Sequence, residues 1–177
     1  MFNLLMSYDD SAWAIGSGQT AASDFAISRF LEHTGDNIRQ RLQPINAETL
    51  AYLTTIPTIF MSELKEDEGK YYVTFRVGQI FDAKIVGRDI RYSFRIDRDY
   101  GRVPVTDQQS VIAALNLGRW ELTRTHWAVK NGSIPDVLAS LPLPQQVVAD
   151  APAALLAPVQ APSGLIPTFG TLGFGQR

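Results

Sequence analysis

The stretch Asp89-Ile-Arg-Tyr-Ser-Phe-Arg-Ile-Asp97 alternates without a fault. Ile90, Tyr92, Phe94 and Ile96 take every second place, with Asp89, Arg91, Ser93, Arg95 and Asp97 between them. Successive strand side chains point to opposite faces, so the pattern predicts one buried and one wet face, as in an antiparallel sheet. Upstream, Gly87-Arg88 supplies a turn and Gln79–Val86 a preceding strand. Before that, Tyr71, Val73, Phe75 and Val77 alternate with Tyr72, Thr74 and Arg76 until Gly78 breaks the rhythm, which predicts a bulge or sharp bend. The run Lys65-Glu-Asp-Glu-Gly-Lys70 reads as a charged turn after a strand over Thr58–Leu64.

Further out the period changes to that of helices. Thr34 is placed to cap a helix through Leu42, with Ile38 and Leu42 on one face, and Asn46 to cap another carrying Leu50 and Leu53. Thr106 opens a third helix with Val111, Ile112 and Leu115 inward and Gly118 at its end. Ser133-Ile-Pro-Asp136 matches a capping box for a fourth helix through Leu141. Met1–Ser7 reads as a short buried strand, residues 8–24 as a long loop, and Arg119–Lys130 as a strand or strand pair. Helices and strands do not alternate regularly, so the expectation is α+β: an antiparallel sheet of four to five strands flanked by four short helices.

Charge ends with this domain. Between Pro142 and Arg177 the only charged side chains are Asp150 and Arg177, while proline stands at 142, 144, 152, 158, 162 and 167. Proline at that density breaks helices and ladders, so residues 142–177 are expected to form a flexible Pro/Ala-rich tail on a domain spanning 1–141. Leu165, Ile166, Phe169, Leu172 and Phe174 stand there with almost no charge around them. They are candidate contacts for a protein partner or for self-assembly.

With 177 residues, 45% of them hydrophobic and 19% charged, the chain has the make-up of one globular domain. A net charge of -2 argues against sequence-specific nucleic-acid binding. The absence of cysteine excludes disulfides, thiolate nucleophiles and cysteine metal sites. No run of about 18 apolar residues exists to span a membrane, and the start has no signal-peptide pattern, so the expected location is cytoplasmic. No cofactor is expected, because no phosphate-binding loop or nucleophile elbow is present. Gly16-Ser-Gly18 is a lone glycine pair, and Asp9-Asp10 an acid pair without companions.

The distinctive cluster is Trp120-Glu-Leu-Thr-Arg-Thr-His-Trp-Ala-Val-Lys130. Read as a continuous strand, it places Trp120, Arg124, His126 and Lys130 on one face. There the three cationic groups are candidates for holding an anionic ligand, with Trp120 stacking beside them. The competing reading makes the tryptophans core anchors and His126 a hydrogen-bonded structural residue. Arg76, Arg91, Arg95 and Arg102 interleave with aspartates and read as a solvated sheet face.

Several motifs together resemble an uncharacterised bacterial domain. They are Arg29-Phe-Leu-Glu-His-Thr34 with Asn37-Ile-Arg39, Ile56-Pro-Thr-Ile-Phe60 with Glu63, Val77-Gly-Gln-Ile80, Gly87-Arg-Asp-Ile-Arg91 and above all Trp120–Lys130. That domain is found at the N-terminus of proteins with TIR-like or nucleoside-processing effector domains in antiviral defence. The resemblance implies a sensing or adaptor role, and here the Pro/Ala-rich segment stands where an effector would follow. The resulting expectation is a non-enzymatic recognition module for a protein partner or small anionic ligand. The alternatives are a structural subunit of a phage particle or similar assembly, and a nucleotide-processing enzyme working through His126.

Overall fold

In the computed structural model, which describes residues 1–143, the first strand is β1, Phe2–Ser7, with Phe2 to Met6 all buried. A 3-10 turn at Ser11–Trp13 leads to β2, Thr20–Ala26, and a second 3-10 turn at Ile27–Arg29 precedes α1, Asp36–Arg41, and α2, Ala47–Leu53. Then come β3, Thr58–Ser62; β4, Lys65–Asp67; β5, Lys70–Val86; and β6, Asp89–Pro104. The chain closes with α3, Gln108–Leu115; a 3-10 turn at Glu121–Thr123; β7, His126–Lys130; and α4, Ile134–Ser140.

The α+β class is as the sequence indicates, but the sheet is larger and differently wired. It has seven strands in the order β2-β6-β5-β3-β1-β7, with β4 attached to β5, rather than four or five. It is mixed rather than antiparallel, because β1 and β3 run side by side in parallel, Leu4 opposite Ile59 and Met6 opposite Met61. Near-continuous apolar runs such as Phe2-Asn-Leu-Leu-Met6, interrupted only by Asn3, belong to strands covered on both faces, and they lack the alternation that marks a one-sided sheet. The supposed loop at 8–24 contains most of β2, where Ala21 and Ser23 ahead of Phe25 are too small to register an alternation. The supposed turn at 65–70 is a two-residue hairpin, with β4 ahead of Glu68-Gly69.

Both faces of the sheet carry a core. On one side Leu4, Met6, Ile59, Met61, Phe75 and Val77 pack under Val111 and Leu115 of α3 and Ile134, Val137 and Leu138 of α4. On the other, Leu5, Phe60, Phe94, Ile96 and Trp127 pack under Leu50 and Leu53 of α2. Adjacent residues of β1 and β3 therefore serve opposite cores. Ile90, Tyr92, Phe94 and Ile96 are all buried as the alternation requires.

Gly78 sits at a register shift between β5 and β6, where a Cβ would lie 2.0 Å from the Arg95 carbonyl oxygen. Only glycine lets the two backbones approach so closely. Asn46 caps α2 through the Thr49 amide, and Ser133 caps α4 through the Asp136 amide, both at the expected places. The caps of α1 and α3 shift by one residue to Gly35 and Asp107. Among the described residues no helix is long and apolar enough to cross a membrane.

Candidate functional site

β7 pairs with β1, placing Lys130 opposite Phe2, Ala128 opposite Leu4 and His126 opposite Met6. The strand begins only at His126, because residues 121–123 coil into a 3-10 turn. That turn breaks the common face expected for Trp120, Arg124, His126 and Lys130. His126 and Lys130 do share one, both buried. Arg124 stays about half exposed and pairs with Glu32, its Nη2 2.6 Å from Oε1. Trp120 is 69% exposed, so it is not a core anchor, and the Arg119 guanidinium lies 5.0 Å from its ring centre. The core tryptophans are Trp127 and Trp13.

The 3-10 turn delivers a residue that alternation had assigned to the opposite face. Glu121 is 1% exposed, and its Oε1 lies 2.6 Å from Lys130 Nζ and 3.0 Å from His126 Nε2. Both contacts are ionic in distance but off the direction of a good hydrogen bond. Its Oε2 accepts from the Gly118 amide at 2.7 Å. Lys130 Nζ also donates to the carbonyls of His33 and Asn116, each at 3.1 Å. Those two residues have positive φ, 61° and 52°. The left-handed turns aim both carbonyls at one ammonium, which donates to them and stands at ion-pair distance from the Glu121 carboxylate.

His126 completes the cluster. Its Nδ1 is 2.6 Å from the Arg124 carbonyl, and a carbonyl only accepts, so Nδ1 carries the proton. In a neutral ring Nε2 would then turn a lone pair toward the Glu121 carboxylate. Burial by itself raises the Glu121 carboxyl, but His126, Lys130 and the Gly118 amide outweigh it and hold it below the ordinary carboxylate value.

His33 lies beside this network, its ring 4.9 Å from that of His126 in edge-on contact. Burial pushes its imidazole below the usual value, Glu121 offsets part of that, and the His126 ring adds to the depression. His33 and Lys130 border a cleft of about 400 Å³ that also meets Asn116, Gly118 and Asn131. A hollow of about 470 Å³ over α1 and α2 is lined by Ile38, Leu42 and Tyr52, and Ile38 also borders the His33 cleft.

A second ionic cluster lies at the other charged pair singled out in the sequence. Asp10 takes Lys65 Nζ at 2.6 Å on one oxygen, and Thr74 Oγ1 at 2.5 Å and Arg76 Nη1 at 2.9 Å on the other. Arg76 in turn reaches Asp99 at 3.1 Å. Arg91 pairs with Asp24, Arg95 with Asp97 and Arg102 with Asp67, so the most basic window of the sequence is largely neutralised.

Leu165, Ile166, Phe169, Leu172 and Phe174 lie outside the described residues. Within them, the chain defines a class: an α+β domain on a seven-stranded mixed sheet, covered by helices on both faces and clamped by a buried Glu–His–Lys cluster at β7. No protein-family model matches the chain, nor does any curated protein or solved structure.

Proposed function

We propose that this domain is a non-enzymatic recognition module that engages a protein partner by surface contact. The observation that carries the reading is the enclosure of Lys130, whose ammonium donates to two backbone carbonyls and is ion-paired with Glu121. With Arg124 turned to Glu32 and His126 bonded to a backbone carbonyl, the three cations do not converge as free donors. A small anionic ligand and a nucleotide-processing reaction both lose support for the same reason. Among the groups offered outward are large apolar side chains, Trp120 and Tyr8 the most exposed of them. Leu165, Ile166, Phe169, Leu172 and Phe174 belong to the same proposal as partner contacts, and an adaptor role in bacterial defence accords with the resemblance of Trp120–Lys130.

The test is affinity capture from a bacterial lysate with the full-length chain, alongside Trp120→Ala and a Phe169→Ala/Phe174→Ala double variant. A protein held by the parent and lost with either variant, at unchanged melting temperature, supports the reading. Equal capture by all three, or turnover of a nucleotide by the purified chain, would sink it. A structural subunit of a phage particle or similar assembly is the second reading, and it draws on the open sheet edge at β2.

A further inference from the structure

Asparagine stands at 3, 37, 46, 116 and 131, and Asn131 alone is followed by glycine. The others are restrained by what surrounds them. Asn3 is buried, its Nδ2 donating to the Leu53 carbonyl at 2.9 Å and its Oδ1 accepting from the Trp127 indole at 3.2 Å. Asn46 Oδ1 accepts from the Thr49 amide at 2.9 Å. Asn37 and Asn116 precede Ile38 and Leu117, whose amides are committed to the carbonyls of Gly35 and Ile112. Asn131-Gly132 differs on each count. Both residues are exposed, and they link Lys130, the last residue of β7, to Ser133, the cap of α4. Among the described residues no hydrogen bond holds the Asn131 side chain or the Gly132 amide. Gly132 has φ 131°, a conformation open to glycine, and without a Cβ nothing of its own screens its nitrogen from the side chain before it.

We propose that Asn131 is a modification site, where the chain deamidates itself to aspartate and isoaspartate. The Gly132 nitrogen gives up its proton and attacks Asn131 Cγ. The new C–N bond closes a succinimide ring, and the side-chain nitrogen leaves as ammonia. Water then opens the ring. Cleavage at Cγ leaves aspartate, while cleavage at the main-chain carbonyl leaves isoaspartate, with the chain rerouted through the side chain. Each event consumes a water and releases an ammonia, and it needs no oxidant or reductant. The new carboxylate arises where two hollows meet. One is the cleft bordered by His33, Glu121 and Lys130, and the other, of about 490 Å³, is bordered by Asp36 and Arg41. Asp136 of α4 is the next acid along the chain, bonded to Ser133 Oγ at 2.6 Å. The inference is independent of the partner-recognition reading, which concerns Trp120 and the C-terminal segment.

Ageing the folded full-length chain in mildly alkaline buffer tests it, with peptide mapping by mass spectrometry. The expected result is a steady gain of the aspartate and isoaspartate forms of the Asn131 peptide. The gain should quicken as pH rises, because the Gly132 nitrogen must lose its proton. The peptides holding Asn3, Asn37, Asn46 and Asn116 should stay unchanged over the same time. Each event lowers the net charge of -2 by one, so an acidic species should grow on ion exchange and elute near Asn131→Asp. Asn131→Gln should show the loss of that species, since a glutamine must close a larger ring and does so far more slowly. Gly132→Ala is a poorer probe, because φ 131° strains any residue with a side chain. A folded parent chain whose Asn131 peptide stays unchanged overturns the proposal, as does conversion that occurs only in urea. An acidic species that persists in Asn131→Gln overturns it equally, as does faster conversion at another asparagine.

Discussion

Lys130 and Asp10 show how a charge is kept inside this protein. Each is surrounded by partners fixed on different parts of the chain, so removing Lys130 leaves Glu121 buried against His126, and removing Asp10 leaves the buried Arg76 with Asp99. Lys130→Met keeps the stem but strands Glu121 beside His126 and frees the carbonyls of His33 and Asn116. It should cost about 3–5 kcal/mol in a urea titration. Lys130→Arg should not rescue it, because a planar guanidinium cannot place its donors on those three acceptors. At Asp10, burial raises the carboxyl, but hydrogen bonds from Arg76, Lys65 and Thr74 prevail and hold it at about 2, against 3.8 ordinarily. A carboxyl depressed in the folded state stabilises above its unfolded value and loses that contribution as pH falls through its folded one. Asp10 should therefore contribute about 2 kcal/mol near neutral pH. The gap in urea midpoint between the parent and Asp10→Asn should close between about pH 4 and pH 2. A gap that persists below pH 2 would show that packing, not charge, sets it.

At the scale of strands and helices, the close approach at Gly78 is the sharpest constraint. Gly78→Ala drives a methyl group into the Arg95 carbonyl, and neither backbone can yield without parting β5 from β6. The expected loss is at least about 2 kcal/mol, read as a fall in chemical-denaturation midpoint. Gly35→Ala, where a Cβ meets nothing within 4 Å, serves as the control. The break at Gly78 was legible in sequence because strict alternation on either side made the interruption visible. The caps at Asn46 and Ser133 were legible because capping is local chemistry. β2 was not, since alanine and serine give alternation no amplitude, and the parallel pairing of β1 with β3 was not, since register between distant strands leaves no local trace. The candidate site divides the same way. His126 and Lys130 were placed on one face by counting in twos, whereas Glu121 was missed because a 3-10 turn resets the count five residues earlier. His33 is far from His126 in sequence, and the left-handed turn that brings it there has no signature of its own.

For the molecule as a whole, the question is whether two cores on one sheet melt together. Leu4 and Met6 of β1 serve the core beneath α3 and α4, while Leu5 between them serves the core beneath α2. In β3, Ile59 and Met61 divide from Phe60 in the same manner. A strand cannot leave one core and stay in the other, so a loss on either face must be felt through the sheet. Two reporters lie on the α2 side: Trp13 contacts Phe60 at 5.4 Å between ring centres, and Trp127 packs edge-on against Phe30 at 5.2 Å. Leu115 of α3, fully buried, lies on the opposite side. Leu115→Ala should cost about 2–5 kcal/mol through the cavity it leaves. In a Trp120→Phe background, where only Trp13 and Trp127 report, it should shift the fluorescence transition and the far-ultraviolet circular dichroism transition by the same amount, although neither tryptophan belongs to the core it damages. If the fluorescence midpoint stayed fixed while the dichroism midpoint fell, the two faces would be separate folding units, and the sheet between them would be a partition rather than a shared spine.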